Sequence, residues 1–336
     1  MMTRVVVLAT GGTIASRFDA SGSASVRDGG ADLLTGLAGR PAQEDVVDVL
    51  HTNSYLMTLR DIRTVVDAVA TQVARPDVRG VVVAHGTDTL EETACAVALC
   101  VDTPKPVVFT GAQRTPDSED PDGERNLRDA LHVAAAESSR GRGVMVVFAG
   151  KVLPAVGCRK LRTLDLDAFD AVNVPPLGKI TGSRLRYSGP AQRALGALEA
   201  LPMTAAFDHA RVAVVMLYPG FDARLLDACV AQGSAAVILG GMGAGNANPA
   251  VQAWVAQAVA DGTMVGLSSR VPFGPVAALY GAGGGASLAA AGAVGMGGLS
   301  IFQARILVAV LASASGQSLA PRTRSAVEAL EHRSSR

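Results

Sequence analysis

The sequence predicts an α/β protein: a larger N-terminal domain on a doubly wound, mostly parallel sheet, and a smaller C-terminal α/β domain. Three features carry this. Short Val-rich runs recur along the chain, helix-length segments separate them, and the pattern lapses after Phe169 before resuming near Val212. Apolar runs without strict alternation suit strands buried on both faces, and regular strand–helix alternation makes neighbouring strands parallel.

The first run, Val5–Ala9, passes directly into the turn residues Thr10-Gly11-Gly12. Val47–Leu50, Val81–Ala84, Val107–Thr110 and Val144–Phe148 read as further buried strands. Between them, Leu59–Ala74 sets Ile62, Val65, Val66, Val69 and Val73 on one helical face. Glu91–Leu99 and Asn126–Ala136 are the next helices. Pro175-Pro176, Gly178, Gly182 and Gly189-Pro190 then punctuate a stretch of weak periodicity that reads as irregular connection. The second domain offers strands at Val212–Leu217, Val237–Leu239 and Val265–Leu267, with helices near Leu225–Ala231 and Val251–Ala260 and a last helix at Phe302–Leu311. The expected boundaries are residues 1–185 for the N-terminal domain, 186–210 for a linker and 211–336 for the C-terminal domain.

At 336 residues the chain can bury a large core in more than one domain. Its residues are 49% hydrophobic but only 4% aromatic, so Ala, Val and Leu must fill that core. Thirty basic residues balance thirty acidic ones without a run of like charge, which argues against a nucleic-acid stripe or an anionic-membrane anchor. A small molecule is the expected partner. No unbroken apolar stretch of roughly 18 residues suggests a membrane span. The run Val5–Leu8 is too short for a secretory signal, and no cleavage-like region follows it. Cys95, Cys100, Cys158 and Cys229 have neither metal-ligand spacing nor the density of a disulfide scaffold. A reducing cytoplasmic setting without a metal site is the expectation.

Parallel sheets gather ligands at the carboxyl edge of their strands, so the polar turns there carry the chemistry. In Ala9-Thr10-Gly11-Gly12-Thr13-Ile14-Ala15, two glycines let the backbone turn sharply and aim its amides inward. A hydroxyl at Thr13 would place a nucleophile beside donors for an oxyanion. The same residues also suit a plain strand-to-helix turn with Thr13 as its cap. Nucleotide binding is disfavoured, because neither Gly-x-Gly-x-x-Gly nor a phosphate-loop lysine is present. The second turn is Ala84-His85-Gly86-Thr87-Asp88-Thr89, ahead of Leu90-Glu91-Glu92. Carboxylates in a first helical turn are favoured by the helix dipole, which alone would account for Asp88, Glu91 and Glu92. Yet Asp88 can also bind a cationic amine and Thr87 can relay a proton, while His85 reads as structural.

Taken together, Thr10-Gly11-Gly12-Thr13-Ile14 and His85-Gly86-Thr87-Asp88-Thr89 resemble the paired fingerprints of the bacterial-type asparaginase/glutaminase family. Phe109-Thr110-Gly111-Ala112-Gln113-Arg114 with Asp122-Gly123-Glu124-Arg125-Asn126-Leu127 extends the resemblance, as do Ser268-Ser269-Arg270-Val271-Pro272 and Gln303-Ala304-Arg305-Ile306. The resemblance implies hydrolysis of L-asparagine through a threonine acyl-enzyme, with Thr13 the first choice of nucleophile and Thr87 the second threonine. Counting back nine residues from Phe169-Asp170-Ala171-Val172-Asn173 it points to Lys160 as the catalytic lysine. Read alone in Arg159-Lys160-Leu161-Arg162, Lys160 would be a solvated charge. Lys160, Thr87 and Asp88 would form a proton relay. Burial would favour a neutral lysine, and the neighbouring Asp88 would oppose it. Amides around Gly12 and Thr87 would hold the oxyanion.

By the same resemblance Ser54 would hold the substrate's α-carboxylate and Asp88 its amino group. Gly12, Tyr55, Gly86 and Ala112 would line the substrate, and Asn246 would close the pocket from the second domain. No metal or organic cofactor is implied, and a homodimer or homotetramer is. Two departures stand out: Arg17 to Gly30 contains no tyrosine, and Phe273 to Ala293 contains no acidic residue. Tyr55 and Tyr280 are the candidates to replace the missing phenol. A glutaminase, a broader ω-amidase and a non-catalytic amino-acid sensor are the competing functions, and an amidotransferase subunit acting on aminoacyl-tRNA is disfavoured by the neutral charge.

Overall fold

The computed structural model describes residues 4–35, 37, 43–191, 198–314, 316 and 318–331. The chain divides into two compact units, Met1–Leu195 and Gly196–Arg336. Residues 1–3 and 332–336 of the expected domains, and residues 192–197 of the expected linker, lie outside the described residues.

The first unit runs β1 (Arg4–Gly11), β2 (Ser16–Phe18), β3 (Ala24–Val26), α1 (Gly30–Leu34), β4 (Gln43–Thr52), α2 (Leu59–Ala74), β5 (Val78–Ala84), α3 (Leu90–Cys100) and β6 (Val107–Thr110). It continues through α4 (Gly123–Ala135), β7 (Val144–Phe148), β8 (Lys151–Pro154), β9 (Cys158–Lys160), β10 (Phe169–Ala171), β11 (Gly178–Thr181) and β12 (Arg184–Tyr187). Its main sheet has eight strands in the order β12-β11-β8-β7-β6-β5-β1-β4. The five from β4 to β7 are parallel, and β8, β11 and β12 add antiparallel strands at one side. Val5, Val7, Val82, Ala84, Val108, Met145 and Val147 pack under α4 through Leu127, Ala130, Leu131 and Ala134. The alternate residues Val6, Leu8, Val81 and Val83 are equally buried, on the face where α2 and α3 lie together. Helix α2 starts where Thr58 and Asp61 cap one another: the Asp61 amide donates to the Thr58 hydroxyl and the Thr58 amide to the Asp61 carboxylate.

The expected irregular connection after Phe169 is instead partly ordered sheet. β11 and β12 form a hairpin with Thr181 opposite Arg184, so its loop is the dipeptide Gly182-Ser183. Gly182 takes φ +58°, as the first central position of a tight hairpin turn requires. At the sheet margin β11 alternates buried and exposed residues and β12 half-buried and exposed ones, a pattern unlike the solid apolar runs of the centre.

The second unit comprises β13 (Val212–Met216), α5 (Arg224–Ala231), β14 (Ala236–Gly241), α6 (Pro249–Ala260), β15 (Met264–Ser269), α7 (Gly285–Ala290), β16 (Val294–Gly295), α8 (Ile301–Ser313) and α9 (Leu319–Glu331). Its four strands are parallel in the order β13-β14-β15-β16. Val237, Leu239, Val265 and Leu267 pack with Val251, Val255 and Leu226. Phe302–Leu311 is therefore not the last helix: α9 follows it and packs on α8, holding Ala326, Val327 and Leu330 inside.

Candidate active site

In the main sheet β1 lies between β4 and β5. The chain leaves β1 toward β4 on one side and leaves β5 toward β6 on the other. The loops after these neighbouring strands therefore part in opposite directions, opening a crevice at their carboxyl ends. Both motif turns sit at that point. The Thr10 hydroxyl donates to Ala84 O (3.1 Å) and the Thr110 hydroxyl to Val147 O (2.8 Å), binding the ends of successive strands together.

The turns after β1 and β5 touch backbone to backbone. Gly12 has φ +82°, and a Cβ there would stand 2.3 Å from Gly86 Cα. A Cβ on Gly86 would in turn meet Ser54 Oγ at 2.6 Å. Only glycine permits this threefold approach. It presses the turn carrying Thr13, the turn carrying Thr87 and Asp88, and the 3-10 turn Ser54–Leu56 into one cluster.

Around that cluster the polar groups are ordered. Lys160 Nζ donates to Thr87 Oγ1 and to Asp88 Oδ1, both at 2.8 Å. Thr87 is buried and the Lys160 side chain nearly so, whereas Asp88 is 53% exposed. Ser54 is buried; its Oγ accepts the Asp88 amide (3.2 Å), and its carbonyl accepts the Thr89 hydroxyl (3.0 Å). The Ser54 hydroxyl proton is thereby left to point elsewhere. The Gly12 amide donates to Thr52 O at 3.1 Å, so of the amides around Gly12 this one is already used. Among the described residues, the backbone amides of Thr13 and Thr87 and the Thr13 hydroxyl make no hydrogen bond.

Ala112 is buried in the third turn, after β6. Asp122 accepts the amides of Gln113 and Arg114, while Asn126 donates to Gly111 O and accepts from Ala149 N, fixing this turn to α4. Gln113 Nε2 reaches Thr163 O and Asp165 O, in the loop after Lys160. Tyr55 is 64% exposed, and its hydroxyl accepts from Asn53 Nδ2 at 3.2 Å. Where the loop tyrosine is lacking, β2 and β3 form a hairpin, and Phe18 N donates to Asp117. Asn246 lies in the second unit, in the turn after β14, where its Oδ1 accepts Gly285 N. Tyr280 is an exposed residue of that unit. Among the described residues no three His, Cys, Asp or Glu side chains converge to hold a metal ion.

Two groups near the turns are shifted by burial. His85, fully buried with Nδ1 2.7 Å from Gly86 O, is pushed down to about 4 by loss of solvent. Glu91 is pushed up to about 7, again by burial, against the opposing pull of the Lys160 amide and Arg159. In the sequence the helix dipole alone accounts for Glu91. Its signal was that α3 is apolar all round, so that a carboxylate within it is buried too.

The comparisons with known proteins agree on one family. Residues 4–193 match the model described as Asparaginase, N-terminal, and residues 211–321 match the Glutaminase/Asparaginase C-terminal domain. The chain belongs to the asparaginase family. It is thus an amidohydrolase. L-asparaginase 2 of Escherichia coli is 31% identical over 81% of this chain and 79% of its own. A probable L-asparaginase of Deinococcus radiodurans is 32% identical over 92% and 93%. Among solved asparaginase structures, that of a probable cytoplasmic L-asparaginase from Campylobacter jejuni matches with a TM-score of 0.81 and 25% identity, covering 97% of this chain and 99% of that one.

Proposed function

We propose that this protein hydrolyses L-asparagine to L-aspartate and ammonia through an acyl-enzyme on Thr13. The observation that carries the reading is the pair of 2.8 Å bonds from Lys160 Nζ to Thr87 and Asp88, beside the Gly12–Gly86 contact. A lysine that donates to Thr87 Oγ1 turns that hydroxyl's own proton outward, where a departing nitrogen can take it. Thr13 Oγ1 attacks the side-chain amide carbon, and the Thr13 and Thr87 amides stabilise the oxyanion. The proton leaving Thr13 replaces, through the Lys160–Thr87 relay, the one delivered to nitrogen, and ammonia departs. Water then attacks the ester, frees aspartate and restores the Thr13 hydroxyl. Ser54 donates to the α-carboxylate, Asp88 holds the amino group, and Gly12, Gly86, Tyr55 and Ala112 line the pocket.

Preference for asparagine over glutamine rests on one methylene, about 1–3 kcal/mol. A cytoplasmic location fits four free cysteines and the likeness to a probable cytoplasmic L-asparaginase from Campylobacter jejuni. The apolar side chains of Met216, Tyr218, Leu225 and Phe302, exposed on the second unit, are what a homodimer or homotetramer would cover, which light scattering measures. The test of function is ammonia release from L-asparagine and L-glutamine. We expect turnover in the wild type and a loss greater than about a hundredfold in Thr13→Ala, Thr87→Ala and Lys160→Met. A folded protein that aspartate stabilises but that releases no ammonia would overturn the proposal and leave a sensor.

A further inference from the structure

Lys160 ends β9, which pairs with β10 alone, in a two-stranded ribbon outside the main sheet. Phe169 stands opposite Lys160, and the Leu161 amide donates to Ala168 O at 2.8 Å. Successive amides along a strand point to opposite edges, so the Lys160 amide faces away from β10. Among the described residues no strand pairs with that edge. The carboxylate of Glu91 occupies the position instead, its Oε2 accepting the Lys160 amide at 2.7 Å. Glu91 is 6% exposed and sits in the first turn of α3, directly after Thr87 and Asp88. One side chain therefore ties the backbone of the lysine to the very segment that carries the lysine's two side-chain partners.

We propose that Glu91 is a positioning residue that holds Lys160 in reach of Thr87 and Asp88, an inference that rests on the role given to Lys160 above. The ammonium ends a long flexible stem, and two hydrogen bonds at its tip do not fix where the stem begins. Without an anchor β9 can slide on its free edge, and an error of about 1 Å in a reacting group costs roughly a hundredfold in rate. An apolar side chain would fill the space under β9 at less desolvation cost, but would leave the Lys160 amide without an acceptor. The charged or ionisable groups facing Glu91 are Arg159 and Lys160 from β9 and Glu92 from its own helix, with the thiols of Cys95 and Cys158 beside it.

Two substitutions in the full-length protein separate acceptor from volume. Glu91→Gln keeps an acceptor at the same reach; Glu91→Leu keeps the bulk and removes it. The expected result is a kcat within about threefold of wild type for Gln and about ten- to a hundredfold lower for Leu, with KM moving less than about threefold in both. Hydrogen exchange supplies a readout independent of activity: the Lys160 amide stays protected in wild type and Glu91→Gln and exchanges at least about tenfold faster in Glu91→Leu. Full activity in Glu91→Leu, equal damage in both variants, or an unprotected Lys160 amide in the wild type would each overturn the proposal. Should the wild type release no ammonia, the functional reading falls, while the exchange comparison still decides whether the anchor exists.

Discussion

In mildly acidic solution the two buried groups beside the catalytic turns pull stability in opposite directions. His85 falls from 6.5 to about 4 on folding, so the unfolded chain binds its proton more readily and stability is lost as pH drops from 6.5 toward 4. Glu91 rises from 4.5 to about 7, so the folded chain keeps a proton that the unfolded one has released. Its contribution is complete below 4.5 and is lost as pH climbs through 7. Across the shared window these two slopes oppose one another. Glu91→Gln removes one slope. Urea unfolding at pH 5 and pH 8 should show it gaining on wild type at the higher pH, by a few kcal/mol at most. A constant difference between the two pH values would refute the assignment.

Elements hold the turns in place, and the bonds of α4 are the ones to test. Asn126 is completely buried, with its amide on Gly111 O and Asp122 and its carbonyl on Ala149 N. Asn126→Leu leaves these groups unpaired and should lower unfolding free energy by roughly 2–4 kcal/mol, measured by chemical denaturation. The central strands were legible in the sequence because burial on both faces writes them as unbroken Val runs. β4 outgrew its expected span because its polar start, Gln43-Glu44-Asp45, lies at the sheet edge. The strands from β8 to β12 are three or four residues each and antiparallel, too short to show a period. Thr13, Thr87 and Asp88 could be found from turn chemistry, but Lys160 only by resemblance, since its partners stand 73 and 72 residues away in the chain. Glu91 is not legible in the sequence as an anchor, because the helix dipole accounts for it locally and only packing shows what it bonds.

On the scale of the molecule, the chemistry is spread over pieces of unequal strength. Thr13, Thr87 and Asp88 follow β1 and β5, strands paired on both sides within an eight-stranded sheet. Lys160 belongs to a ribbon of two three-residue strands with few backbone bonds to the main sheet, held by Glu91, by the Lys151–Asp170 ion pair and by Phe169 packed on Phe148. Segments with so few hydrogen bonds open locally at free energies well below that of global unfolding. Warming should therefore release the lysine while the main sheet is intact. Ammonia release, followed against far-ultraviolet circular dichroism in one temperature ramp, is expected to fade several degrees before the dichroism changes and to return on cooling. Coincident curves would mean that ribbon and sheet melt together. If they separate, the shelf life of the activity is set by six residues of β-ribbon, and making the protein more heat-tolerant means stitching β9 and β10 rather than improving a core that is already sound.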